Sequence, residues 1–176
     1  MNRYTDQKIK IAIIGCGRIS KNHLKSILLY PKFCQLRAIC DCDLKRIKEA
    51  KEFLKVGLID DQKSYEKIKE YNLEDDLFND IKNKKINIDL VVLATPSGFH
   101  SRQVIKAAES KVNVCTEKPM ATKWEDGLRM VSECKKNNVK LFVVKQNRFN
   151  KTIELVRKQI LNGRVGKLGL ITVNVF

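Results

Sequence analysis

A chain of 176 residues with 43% apolar content holds one domain of ordinary size and reads as globular rather than disordered. No run of eighteen apolar residues occurs, and residues 1–8 are polar without the apolar centre of a signal peptide. That reads against a membrane span or membrane partner and makes the cytoplasm the expected location. The formal net charge of +15 draws anions. Its Lys and Arg residues are spread along the chain, however, with only short clusters such as Lys82-Asn83-Lys84-Lys85 and no aromatic interleaving. We therefore read the charge as a solvated surface, with nucleic acid not a partner.

Strand-like and helix-like segments alternate, which predicts an α/β fold: a doubly wound parallel sheet covered by helices on both faces. Ile9 to Ile14 is a short, nearly continuous apolar run, as in a strand buried on both sides. A helix is expected over Arg18 to Leu29, ending before Pro31, then a strand over Gln35 to Cys40 and a helix over Leu44 to Leu54. A third strand is placed at Val56 to Ile59, followed by one or two charged helices through Ile81. Ile88 to Ala94 is the fourth strand, and Ser97 is positioned to cap a helix running through Glu109. Val112 to Cys115, a helix over Lys123 to Lys136, and Val139 to Val144 supply the fifth and sixth strands and the helix between them. A helix near Thr152 to Leu161, a Gly163–Gly166 turn and an alternating strand from Leu168 to Phe176 close the chain. Right-handed crossovers give the strand order 3-2-1-4-5-6, with the ligand crevice at the carboxyl ends where that order reverses.

Six cysteines form no C-x-x-C pair, and there are two histidines, so the thiols read as reduced and structural, and no metal site is expected. Gly15-Cys16-Gly17-Arg18-Ile19-Ser20 lies between the first strand and first helix, where a G-x-G-x-x-G turn would hold a dinucleotide pyrophosphate. Ser20 stands where the third glycine is usual. Asp41, at the end of the second strand, can accept both adenosine ribose hydroxyls, which favours NAD over NADP. It can equally be a turn aspartate, and Arg37 and Arg46 leave NADP open.

Thr95-Pro96-Ser97-Gly98-Phe99-His100 follows the fourth strand, under the nicotinamide half of such a cofactor. His100 can act as an acid/base, although a histidine so placed is more often packed and hydrogen-bonded, and His23 reads as structural. Lys118 in Glu117-Lys118-Pro119 offers a cation at the crevice end of the fifth strand, able to bond a substrate hydroxyl and stabilise a developing alkoxide. Glu117 could fix that lysine or the nicotinamide ribose, and the bland alternative for the tripeptide is a surface turn.

The series Ile11-Ala12-Ile13-Ile14-Gly15-Cys16-Gly17, Ala94-Thr95-Pro96 with His100, and Glu117-Lys118-Pro119-Met120-Ala121 resembles the Gfo/Idh/MocA family of NAD(P)-dependent oxidoreductases. Thr116 to Gly127 and Val143 to Arg148 resemble most the branch that oxidises the 3-hydroxyl of UDP-N-acetylglucosaminuronic acid for lipopolysaccharide and other surface polysaccharides. The resemblance implies Lys118 as the catalytic or substrate-orienting lysine. It implies cofactor contacts from Gly15, Gly17, Arg18, Ile19, Asp41, Thr95, Pro96, His100, Glu117, Lys118 and Gln146. It also implies substrate contacts from Lys118, Asn147 and Arg148, NAD as cofactor, and a homo-oligomeric full-length form. It divides the chain into a cofactor domain, residues 1–149, and the beginning of a substrate domain, residues 150–176. Family members continue into that second α/β domain, so the chain is expected to be truncated and to turn over weakly or not at all. The competing reading is a non-catalytic NAD-binding module, either a truncated product or half of a split enzyme.

Overall fold

The computed structural model describes residues 7–58 and 61–174. Cα packing divides the chain into two units, residues 1–144 and 145–176.

In the first unit, strands β1 (Ile9–Ile14), β2 (Cys34–Cys40), β3 (Lys69–Tyr71), β4 (Leu90–Leu93), β5 (Asn113–Thr116) and β6 (Leu141–Val143) form one sheet. Their order is β3-β2-β1-β4-β5-β6, with every pair parallel. The central strands are buried on both faces, which is why β1 reads IKIAII instead of alternating. The two edge strands have only three residues each, and short edges offer little template for stray pairing.

Helices α1 (Ser20–Leu29) and α2 (Leu44–Gly57) cover one face. Their Leu24, Ile27, Ile47, Ala50 and Leu54 pack on Ile11, Ile13, Leu36, Ile39 and Val92. The short helix α3 (Gln62–Glu66) precedes β3. On the opposite face α4 (Glu74–Lys82), α5 (His100–Glu109) and α6 (Trp124–Lys136) bury Leu77, Phe78, Val104, Ala107 and Met130 against Ala12, Ile14, Val91, Leu93 and Val114. A β-bulge at Arg37 makes both cores possible. Pairing jumps from Ile11–Leu36 to Ala12–Ala38, so Leu36 and Ile39 share one face despite their odd spacing.

Local chemistry sets the helix ends. Asp43 caps α2 by accepting the Lys45 N–H at 2.9 Å. Glu125 and Asp126 open α6, and Lys135 and Lys136 close it, matching the helix dipole at both ends.

Four expectations are corrected. Helix α1 begins at Ser20, because Gly17 to Ile19 form the turn that leads into it. Val56 belongs to the last turn of α2, whose buried stripe of Ile47, Ala50 and Leu54 carries the helix past Leu54. Ile59 lies outside the described residues, and the third strand is Lys69–Tyr71, where only Tyr71 is buried. Ser97 does not cap α5: it starts a 3-10 turn, Ser97–Phe99, with no side-chain cap bond.

In the second unit, a 3-10 turn (Gln146–Phe149) leads into α7 (Lys151–Leu161), capped by Asn150 through the Thr152 N–H. The expected strand from Leu168 is absent through residue 174, while residues 175–176 lie outside the described part. Its alternation supplies two faces, but a strand also needs a hydrogen-bonded neighbour, and none pairs with it among the described residues.

Candidate cofactor and catalytic site

The strand order reverses between β1 and β4, so their carboxyl ends splay apart and open a cleft of about 390 Å³. Gly15, Gly17, Asp41, Arg46, Thr95 and Pro96 are among its lining residues.

Gly15 leaves β1 at φ +92°, and a Cβ there would stand 2.7 Å from the Ala94 carbonyl carbon and 2.9 Å from Thr95 N. Only glycine permits both the dihedral and the approach. Gly17 differs, since an added Cβ would meet only Arg46 Nη1, at 3.7 Å, and would project into free space. Among the described residues, the N–H groups of Gly17, Arg18 and Ile19 donate to nothing within the chain. A bare glycine beside free N–H groups at a helix start fits a pyrophosphate. Ser20 at the third fingerprint position is fully buried, with its hydroxyl satisfied by Gly17 O at 2.6 Å. The substitution thus keeps the turn closed without leaving a polar group unpaired.

Asp41 Oδ2 accepts the Cys16 N–H at 2.7 Å and Oδ1 accepts the Asp43 N–H at 2.9 Å. These bonds hold the carboxylate at the rim of the cleft with lone pairs to spare for ribose hydroxyls. Arg46 lines the same cleft. Arg37 does not, because it occupies the bulge in the middle of β2. Burial, and then the Asp41 charge, push the Cys16 thiol up to about 12; burial first, and then Cys16, do the same for Cys40. Both are inert at neutral pH. All six cysteines are unbridged. No group of three or more His, Cys, Asp or Glu side chains is arranged to hold a metal among the described residues.

His100 is buried, with Nε2 2.9 Å from Thr95 O and Nδ1 3.0 Å from Pro119 O. It clasps the loop after β4 to the loop after β5, and both ring nitrogens are occupied by backbone carbonyls. Thr95 also donates to Gln103 Oε1 at 2.6 Å, and Gln103 donates to Glu74, which pairs with Arg102 and Lys106. Sequence reading missed this network, although a polar Gln103 on the apolar stripe of α5 is the kind of signal that betrays one.

Thr116 and Glu117 are buried and Lys118 is exposed, joined to Pro119 by a cis peptide bond. The Lys118 ammonium forms no hydrogen bond or ion pair among the described residues. Glu117 Oε2 accepts the Lys118 N–H at 3.1 Å, and Oε1 lies 2.9 Å from His23 Nε2. That pairing was not read from the sequence. Gln146, Asn147 and Arg148 fall in the 3-10 turn of the second unit.

A parallel sheet with reversed strand order, a glycine turn facing a helix start and a carboxylate just past the end of the second strand define a dinucleotide-binding domain. Residues 9–145 match the Gfo/Idh/MocA model, described as an oxidoreductase family with an NAD-binding Rossmann fold, and the chain belongs to that family. The chain is similar to the WlbA dehydrogenase of Bordetella pertussis, solved with NADH and UDP-GlcNAcA. That likeness has 40% identity and a TM-score of 0.75 over 92% of this chain and 44% of that one. The Chromobacterium violaceum WlbA dehydrogenase, solved with the same two molecules, is 38% identical with a TM-score of 0.78, over 92% and 42% of the two chains. Myo-inositol 2-dehydrogenase of Thermotoga maritima is 31% identical over 90% of this chain and 42% of its own length. The chain thus spans less than half the length of these relatives. Its cofactor is NAD. No described helix is long and apolar enough to cross a membrane.

Proposed function

We propose that the chain serves an NAD-dependent dehydrogenase that oxidises a secondary alcohol of a nucleotide sugar, UDP-N-acetylglucosaminuronic acid at C3, in surface polysaccharide synthesis. The observation that carries this reading is Lys118. Among the described residues it is an unpaired, exposed cation two residues beyond the carboxyl end of β5, the strand paired with β4, and it directly follows the buried Thr116 and Glu117. The 40% and 38% likeness to two dehydrogenases solved with UDP-GlcNAcA supports this sugar over inositol.

Bound NAD would supply the hydride acceptor for the substrate carbon. Gly17, Arg18 and Ile19 would hold the pyrophosphate through backbone N–H groups, Gly15 would let the turn close beside it, its own N–H being held by Cys40 O, and Asp41 would hold the adenosine ribose. Thr95 and Pro96 would supply the nicotinamide half of the site, and His100 would act by fixing their loop through Thr95 O and Pro119 O. Lys118 hydrogen-bonds the substrate hydroxyl and stabilises the alkoxide as it forms, or takes its proton. Glu117 would add a cofactor contact, and the family likeness alone assigns Gln146 to the cofactor and Asn147 and Arg148 to the sugar. We take residues 1–149 as the cofactor domain and residues 150–176 as the beginning of a substrate domain.

The test is NADH formation at 340 nm with UDP-GlcNAcA and with myo-inositol. The reading predicts slow formation with UDP-GlcNAcA only, lost in Lys118→Ala. Formation with myo-inositol alone would reassign the substrate. Thermal stabilisation by NAD without any reduction would favour a binding module.

A further inference from the structure

Glu117 has two bonds that serve no ladder or core. Its buried carboxylate receives the Lys118 N–H on one oxygen and faces His23 Nε2 with the other. His23 lies on the first turns of α1, directly after the Gly17–Ile19 segment with its free N–H groups. The Glu117 N–H in turn donates to Leu93 O, next to the Ala94–Thr95 backbone against which Gly15 is pressed. One side-chain pair, 94 residues apart in sequence, therefore ties the pyrophosphate helix to the segment that presents the lysine.

We infer that His23 is a positioning residue. Its hydrogen bond fixes the Glu117 carboxylate, and through the Lys118 N–H it sets where Lys118 leaves β5 relative to the cofactor. A carboxylate bonded on one side only can rotate about its last torsion and carry the Lys118 backbone bond with it. Held on both sides, it has one orientation. The His23 and Glu117 side chains are 19% and 10% exposed, so little water competes for the bond. The inference rests on the proposed cofactor site and adds a residue that this reading does not itself require.

The test is a double-mutant cycle on the full chain, using His23→Phe (no donor), His23→Gln (donor kept), Glu117→Gln and the His23→Phe/Glu117→Gln pair. Calorimetry measures NAD and, separately, ADP, which has the pyrophosphate but no nicotinamide half. Mass spectrometry follows acetylation of Lys118 with and without each nucleotide. We expect His23→Phe to weaken NAD about tenfold and leave ADP within about twofold, because 1.4 kcal/mol of lost contact is a factor of ten. His23→Gln should recover most of the loss, and the double variant should fall no further than the worse single one. NAD should slow Lys118 acetylation in the wild type and in His23→Gln, but not in His23→Phe. Parallel losses of ADP and NAD, additive losses in the pair, or His23→Gln behaving like His23→Phe would each overturn the positioning role. If the wild type binds no NAD, the cofactor reading fails first. If it binds NAD and His23→Phe is indifferent, only this inference fails. His23→Leu is the second donor-free variant should His23→Phe not fold.

Discussion

Asp41 Oδ2 accepts the Cys16 backbone N–H at 2.7 Å, joining the end of β2 to the glycine turn that follows β1. The same carboxylate takes the Asp43 N–H on its other oxygen, so it shapes the cleft as well as facing it. Asp41→Asn must then point an amide N–H at one of these two donors. Buried mismatches of this kind cost about 1–3 kcal/mol. Urea unfolding of this variant should show a loss of that size. Calorimetry should show NAD bound about tenfold more weakly, because the ribose loses a charged acceptor.

The two fingerprint glycines should fail differently. Gly15→Ala places a Cβ 2.7 Å from backbone at φ +92°, so it should destabilise by about 2 kcal/mol or more and abolish NAD binding. Gly17→Ala meets nothing closer than 3.7 Å. It should change stability by less than about 1 kcal/mol while still weakening NAD strongly, since its methyl enters the pyrophosphate space. Thermal unfolding of both variants, with and without NAD, separates the two cases.

The fold was legible because buried parallel strands announce themselves. IKIAII and LVVL are short, β-branched runs between turn residues, too short for ordinary helices. β3 was missed because a three-residue edge strand with one buried side chain carries no pattern, whereas Val56 looked strand-like and was claimed by α2. In the site, Gly15, Asp41, Thr95 and Lys118 stood out because each sits at a strand end, where chain direction already predicts a crevice. The His23–Glu117 bond was invisible and the Gln103–Glu74 network showed only as a polar residue on an apolar stripe, since partners 94 and 29 residues apart meet only after the sheet closes.

Thiol chemistry gives a pH-dependent test. Cys16 and Cys40 stand at about 12 in the folded chain, above the ordinary 9.0, chiefly from burial. Between those values the unfolded chain has released protons that the folded chain retains. Their contribution to stability is therefore complete below about pH 9 and is lost as pH rises toward 12. Unfolding midpoints should fall over that window, less steeply in Cys40→Ala. At pH 8, iodoacetamide should modify exposed Cys42 first, and NAD should slow it, because Cys42 lines the cleft.

His100 bridges Thr95 O and Pro119 O, and a neutral ring donates to one of them at a time. His100→Leu leaves both carbonyls without it and should cost about 1–3 kcal/mol by urea unfolding. NAD affinity should fall with the loosened loop, while His100→Gln should retain part of both.

The most direct measurement follows the hydrogen itself. The protein is incubated with NAD and UDP-N-acetylglucosaminuronic acid deuterated at C3, and the reduced cofactor is weighed by mass spectrometry. The account predicts one deuterium per NADH with the wild type and none formed by Lys118→Ala. NADH without deuterium, or equal labelling from Lys118→Ala, would contradict it.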